Sequence, residues 1–170
     1  ASGLVNRISV SPYRLATHLG VALVILALTW RLFLRWDADG QQPAGARNPL
    51  LNWPILLTAL VFFQMILGAF VAGLDAGRSH TDWPTIDGRL FPGQYAALEP
   101  LWRNLFENTQ AVQFNHRVVG YLTAAAALFV AWRFRATSHR KLAASVGHMA
   151  LLQAALGVIA VITASPLWIG

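Results

Sequence analysis

Four long apolar stretches leave this chain few ways to fold. Residues 13–35, 51–74, 110–132 and 141–163 each supply the roughly 20 predominantly apolar residues that a helix needs to cross a bilayer. Membrane-spanning β-strands would be only about 9–11 residues long and alternating in polarity, so four spanning helices are the expected solution. Charged residues make up 12% of the chain and mean hydropathy is +0.49, whereas a soluble domain carries about 25% charged residues. The sequence reads as all-α and transmembrane.

The net charge of +6 and the pI of 11.1 do not imply a nucleic-acid partner, because the basic residues gather at the ends of the apolar runs. They read as topology signals. Arg31, Arg35, Arg47, Arg133, Arg135, Arg140 and Lys141 crowd around two short connections, whereas Arg78, Arg89 and Arg103 are spread along the long segment 75–109. Cytoplasmic loops carry the denser Lys and Arg, so the connections at 37–50 and 133–141 are expected inside, and both chain ends and segment 75–109 outside. Zero cysteines exclude disulfides, thiolate metal sites and a cysteine nucleophile. The chain opens on Ala, with no cleavable signal before Tyr13, and is expected to begin inside a longer protein.

Segment 75–109 is too long for a turn and holds five of the seven acidic residues, Asp75, Asp82, Asp87, Glu99 and Glu107, which makes it a functional candidate. Within it, EPLWRNLFEN has a proline suited to a first helical turn and apolar residues at helical spacing, predicting a helix lying on the membrane surface. A weak internal repeat, Gln-x-x-Leu-Gly, recurs at residues 64–68 and 153–157 in the second and fourth runs. Gln64 and Gln153 are expected to bond across helices. Small residues four apart, Gly68 with Ala72 and Ala69 with Gly73, predict close helix contact, as do Ala150, Ala154 and Gly157.

Two histidines stand out. His18 and His116 lie five and six residues into parallel runs, about 8–9 Å below the outer end at about 1.5 Å per residue. An imidazole in hydrocarbon needs a partner, and haem iron suits a neutral ring nitrogen in a helical bundle. Arg14 and Arg117 would then face the propionates, since a guanidinium matches a carboxylate in two hydrogen bonds. The plainer reading gives each histidine a hydrogen bond to a neighbouring helix and lets each arginine reach the headgroups. His148 lies at another depth and reads as structural, and His80 and His139 are expected to be solvated.

The stretches SPYRLATHLG (11–20), VAGLDAG (71–77), DWPTIDGRLFP (82–92), Trp102 with Glu107-Asn108, and QFNHR (113–117) resemble the haem A synthase family over most of the chain and in consistent order. The resemblance implies an eight-helix membrane protein of two four-helix halves. It also implies an oxidoreductase that converts the C8 methyl of haem O to the formyl group of haem A for cytochrome c oxidase assembly. Two successive hydroxylations followed by loss of water would give that aldehyde. By the same resemblance the paired ligands come from helices two and four and from helices six and eight. His18 then falls on helix four and His116 on helix six, in different haem sites, with haem b resident at His116 and haem O as substrate in the half that holds His18. Cofactor-binding residues are thus His116, His18, Arg117 and Arg14, and no catalytic acid or base is assigned. Gln113 stands where first-half copies of the motif carry Glu.

The implied organisation is an outer segment and first span over 1–36, a cytoplasmic linker over 37–50, and a haem-binding half over 51–170 lacking its last helix. Implied partners are membrane lipid, haem O and haem A, haem O synthase, cytochrome oxidase assembly factors and a second copy of the protein. The implied location is the bacterial cytoplasmic membrane, or the mitochondrial inner membrane in a eukaryote. A different class of reading is a b-type electron-transfer subunit in which His18 and His116 bridge one iron. A third is a membrane scaffold or transporter without a cofactor.

Overall fold

Each apolar run becomes a helix whose ends fall where local chemistry stops it. A computed structural model describes residues 11–37 and 52–164. Helix α1 (Pro12–Asp37) opens on a proline at its first position, where the missing N–H costs nothing. Helix α2 (Asn52–Gly73) carries Pro54 in its first turn and ends at a glycine. Two short helical turns follow, α3 (Ala76–Ser79) and α4 (Asn104–Glu107), the latter preceded by a 3₁₀ turn at Leu101–Arg103. Helix α5 (Thr109–Arg133) is capped by Asn108, whose side chain accepts from the backbone N–H of Gln110 and Ala111. Helix α6 (Arg140–Ile162) completes the described chain, and no strand occurs among the described residues.

All four long helices lie within about two residues of the predicted runs, which follows from the ~20-residue apolar length that both definitions track. Three of them, over Pro12–Leu34, Asn52–Gly73 and Arg140–Ile162, are long and apolar enough to cross a membrane. Helix α5 is as long but is polar over its N-terminal third, where Gln110, Gln113, Asn115, His116 and Arg117 fall. The linker expected at 37–50 lies almost wholly outside the described residues, as does SPLWIG at the far end.

Helix α1 packs on α2, α2 on α5, and α5 on α6. Two apolar clusters join them. Near the C-terminal end of α5, Leu57, Ala127, Val130, Phe134 and Ala143 tie α2, α5 and α6 together; near its N-terminal end Ala16, Ala69, Phe70 and Val112 join α1, α2 and α5. Most large apolar side chains of α1 and α6, among them Leu26, Leu32, Met149 and Ile162, are exposed. In a bilayer this is the expected surface, because lipid tails are as apolar as leucine.

Small residues set how closely the helices approach, though at positions other than some of those predicted. A Cβ on Gly73 would fall 2.8 Å from Pro12 Cα, so the start of α1 crosses the end of α2 on backbone alone. On α6 the close approach is made by Gly147, where a Cβ would meet Ala131 at 3.1 Å, with Ala143 and Ala150 packing above and below. Ala154 and Gly157 face outward, and nothing lies within 4 Å of a Cβ at Gly157. Gln153 is likewise exposed, so the repeated Gln-x-x-Leu-Gly motif is packed in α2 and open in α6.

Candidate functional site

The segment between α3 and α5 folds into a cap over the end of the bundle where α2 finishes and α5 begins, and its nucleus is Asp82. One carboxylate oxygen accepts from the Thr85 hydroxyl at 2.7 Å and the Gly88 N–H at 3.0 Å, and the other from the Asp87 N–H at 3.1 Å. Burial alone would raise this carboxyl, but those hydrogen bonds outweigh it and hold it at about 2. The bonds close a tight turn in which Asp87 and Gly88 both take positive φ, 52° and 73°, and Ile86 and Arg89 exchange backbone hydrogen bonds. Asp-Gly is the dipeptide that such a turn favours. Farther along, buried Asn104 and Asn108 bond to each other and to the carbonyls of Leu98, Leu101 and Gln94. The predicted surface helix is therefore only the 3₁₀ turn and the four residues of α4, because Asn104 and Asn108 serve the loop backbone and Asn108 begins the next helix. Leu101 and Trp102 still project outward as that reading expected.

Every polar residue of QFNHR has its own partner. Gln113, Arg117 and Tyr121 share one face of α5, four residues apart, and that face meets the cap. Gln113 donates to the His80 carbonyl at 2.8 Å, Arg117 donates from Nη1 to the Thr85 carbonyl at 2.7 Å, and the Tyr121 hydroxyl accepts from the Trp83 indole at 2.9 Å. Arg117 Nη2 lies 3.5 Å from the His80 carbonyl. Asn115 accepts from the Tyr95 hydroxyl at 2.9 Å, and Phe114 packs edge-on against Phe91 and Tyr95. Three buried polar atoms here have no partner: Gln64 Oε1, Gln113 Oε1 and Arg117 Nε.

His116 points the other way, into the contact with α2. The Gln64 amide nitrogen lies 3.1 Å from its Nδ1 and 3.4 Å from its Nε2, and donates to its carbonyl at 3.0 Å. Glycines on both helices make room: a Cβ on Gly68 would stand 3.2 Å from the ring's Cε1, and one on Gly120 would stand 3.0 Å from the Gln64 amide nitrogen. The expected cross-helix bond of Gln64 is thus present, and its acceptor is the candidate ligand.

His18 and His116 have different surroundings. His18 is exposed on α1, which packs on α2, and Arg14 is exposed one turn before it. His148 is exposed on α6. His80, expected to be solvated, is instead a node of the cap with only 13% of its side chain exposed; Nδ1 lies 3.0 Å from Asp87 and Nε2 3.3 Å from the Thr109 hydroxyl. The chain folds back over α5, and no local spacing announces such a fold-back. The Asp-Gly pair at 87–88 was the available signal. At the base of α1, Tyr13 donates to Glu107 at 2.8 Å, which also pairs with Arg103. The Arg103 hydrogen bond, chiefly, holds the Glu107 carboxyl below its ordinary value. Two apolar grooves of about 550 and 510 Å³ run along the α2/α5 and α1/α2 seams, lined by Leu56, Phe63 and Phe129 and by Ala16, Val21 and Phe62 respectively. Among the described residues no three His, Asp or Glu side chains gather as a metal site.

Long apolar helices around a part-buried histidine, closed at one end by a hydrogen-bonded polar cap, define a multi-pass helical membrane protein. The chain matches, over residues 1–170, the family described as Cytochrome oxidase assembly protein (COX15-CtaA), and it belongs to that family. Curated proteins named Heme A synthase are similar to it: one from Hyphomonas neptunium is 42% identical over 97% of this chain and 46% of its own length. Another from a Ruegeria species is 46% identical over 93% of this chain and 43% of its own. A third from Caulobacter vibrioides is 42% identical over the whole chain and 50% of its own length. The chain spans about half the length of the curated relatives it matches. No solved structure gives a significant match.

Proposed function

We propose that this chain is part of a haem A synthase, which oxidises the C8 methyl of haem O to the formyl group of haem A for cytochrome c oxidase assembly. The observation that carries the reading is the family match along the whole chain together with the seating of His116 between α2 and α5. In this reading α5 is a fourth span. Its 25 residues extend roughly 37 Å at about 1.5 Å per residue, and its polar outer third is covered by the cap. The four helices are then helices four to seven of eight, in the bacterial cytoplasmic membrane, with the cap on the outer side.

Haem, when bound, supplies the redox chemistry that an unactivated methyl group requires. The chain's own residues position it. His116 offers a neutral imidazole nitrogen to a resident haem b, and the orphaned Gln64 Oε1 beside the ring gives that group's presence a physical fit. Arg117 lies one residue on, with an unpartnered buried Nε and a charge that suits a propionate. His18 and Arg14, exposed on α1, serve the other haem site, which the remaining part of the protein completes. The exposure of His18 on α1, against the seating of His116 between α2 and α5, supports two sites over one shared iron.

The ligand assignment is tested by purifying the complete protein in detergent and measuring haem per polypeptide and the visible spectrum. His116→Ala should remove haem b and leave the His18 site able to take haem, and His18→Ala should do the reverse. Equal haem content and spectra in both variants and the parent would sink the assignment.

A further inference from the structure

Gln64 has no role yet beyond its contact with His116, and its surroundings are unusually constrained. It crosses from α2 to α5 at the one point where both helices present glycine to each other, Gly68 under the ring and Gly120 under the amide. Its amide nitrogen faces the ring and the His116 carbonyl, while its own carbonyl oxygen is buried without a partner. A buried carbonyl without a partner is destabilising, so a residue in this setting calls for a second state in which that oxygen is used. The ring supplies the reason. An amide N–H can only donate, so whichever ring nitrogen accepts from it, Nδ1 at 3.1 Å or Nε2 at 3.4 Å, carries no proton in that bond; an imidazole that ligates iron through one nitrogen carries its proton on the other and needs an acceptor there.

We propose that Gln64 is the positioning residue of His116. Its carboxamide holds the ring in the α2/α5 crossing through its N–H, and its carbonyl oxygen is the acceptor for the ring N–H once the other ring nitrogen binds haem iron. This rests on the reading of His116 as a haem ligand. Gly68 and Gly120 are part of the device, since a side chain at either would displace the ring or the amide.

The experiment compares Gln64→Leu, Gln64→Glu and His116→Ala in the complete protein, purified in detergent, by haem transfer to apomyoglobin, redox titration and low-temperature EPR. Gln64→Leu should retain haem b about 10–100-fold less tightly, the range for removing the hydrogen-bond partner of a metal-bound histidine. Gln64→Glu, an acceptor alone, should keep the haem, lower its midpoint potential and alter its low-spin EPR signal, which a merely structural residue would not do. If Gln64→Leu is not recovered folded, the Gln64→Glu potential decides. Parent-like retention and potential in both Gln64 variants, with haem b lost in His116→Ala, would overturn the role of Gln64 alone. Haem b retained in His116→Ala would overturn the ligand reading beneath it.

Discussion

Arg117 follows His116 in the chain yet serves a different neighbour, because successive helical positions point about 100° apart. His116 faces α2, while Arg117 holds the cap by the carbonyls of Thr85 and His80. Hydrogen bonds to a charged donor contribute about 1.5–3 kcal/mol. Arg117→Met should therefore raise amide exchange across residues 80–88 tenfold or more, measured by deuterium uptake, with exchange along α6 unchanged. Asp82 gives a pH signature. Its folded value of about 2 lies below the ordinary carboxylate value, so the order it confers is fully present above about pH 4 and is lost as pH falls through about 2. Protease nicking of the cap should rise across that window, and Asp82→Ala should be nicked at neutral pH. At this scale the sequence was partly legible. A buried imidazole needing a partner and a glutamine bonding across helices follow from the cost of polar groups in hydrocarbon. The burial of His80 does not, since it depends on a loop returning over α5.

The four helices follow from hydrophobic length and were legible almost to the residue. What apolar length cannot encode is which face of each helix meets a neighbour, for these helices are apolar nearly all round. Hence Gly147, rather than Ala154 or Gly157, makes the α5/α6 contact. Gly73→Ala would place a Cβ against the Pro12 backbone, and Gly147→Leu would drive a side chain into Ala131 and Leu128. Overpacking of this kind costs about 1–3 kcal/mol. Both variants should lower the midpoint of thermal unfolding in detergent, whereas Gly157→Ala, with open space around it, should leave it within error. The expected surface helix shortened to a turn because its asparagines bond to the loop backbone and its apolar residues point outward.

For the molecule as a whole, helices α1, α2, α5 and α6 each pack on their neighbours in sequence, with long apolar faces left open. The class, a multi-pass helical membrane protein, was readable from composition and run length alone, and the family from motifs that the fold turns out to use: the Asp82 turn, the Asn104 and Asn108 links, and the QFNHR face of α5. The grouping of those motifs into one cap over His116 was not readable, since they lie up to 35 residues apart and meet only through tertiary hydrogen bonds. The proposed function makes the protein a source of haem A that depends on His116. It is tested most directly by expressing the complete protein in a bacterium that makes haem O but lacks its own haem A synthase, then separating the extracted haems by reversed-phase chromatography. Haem A is expected from the parent protein and haem O alone from His116→Ala; haem A at parent levels from the variant, or none from the parent when it is present in the membrane, would refute the proposed function.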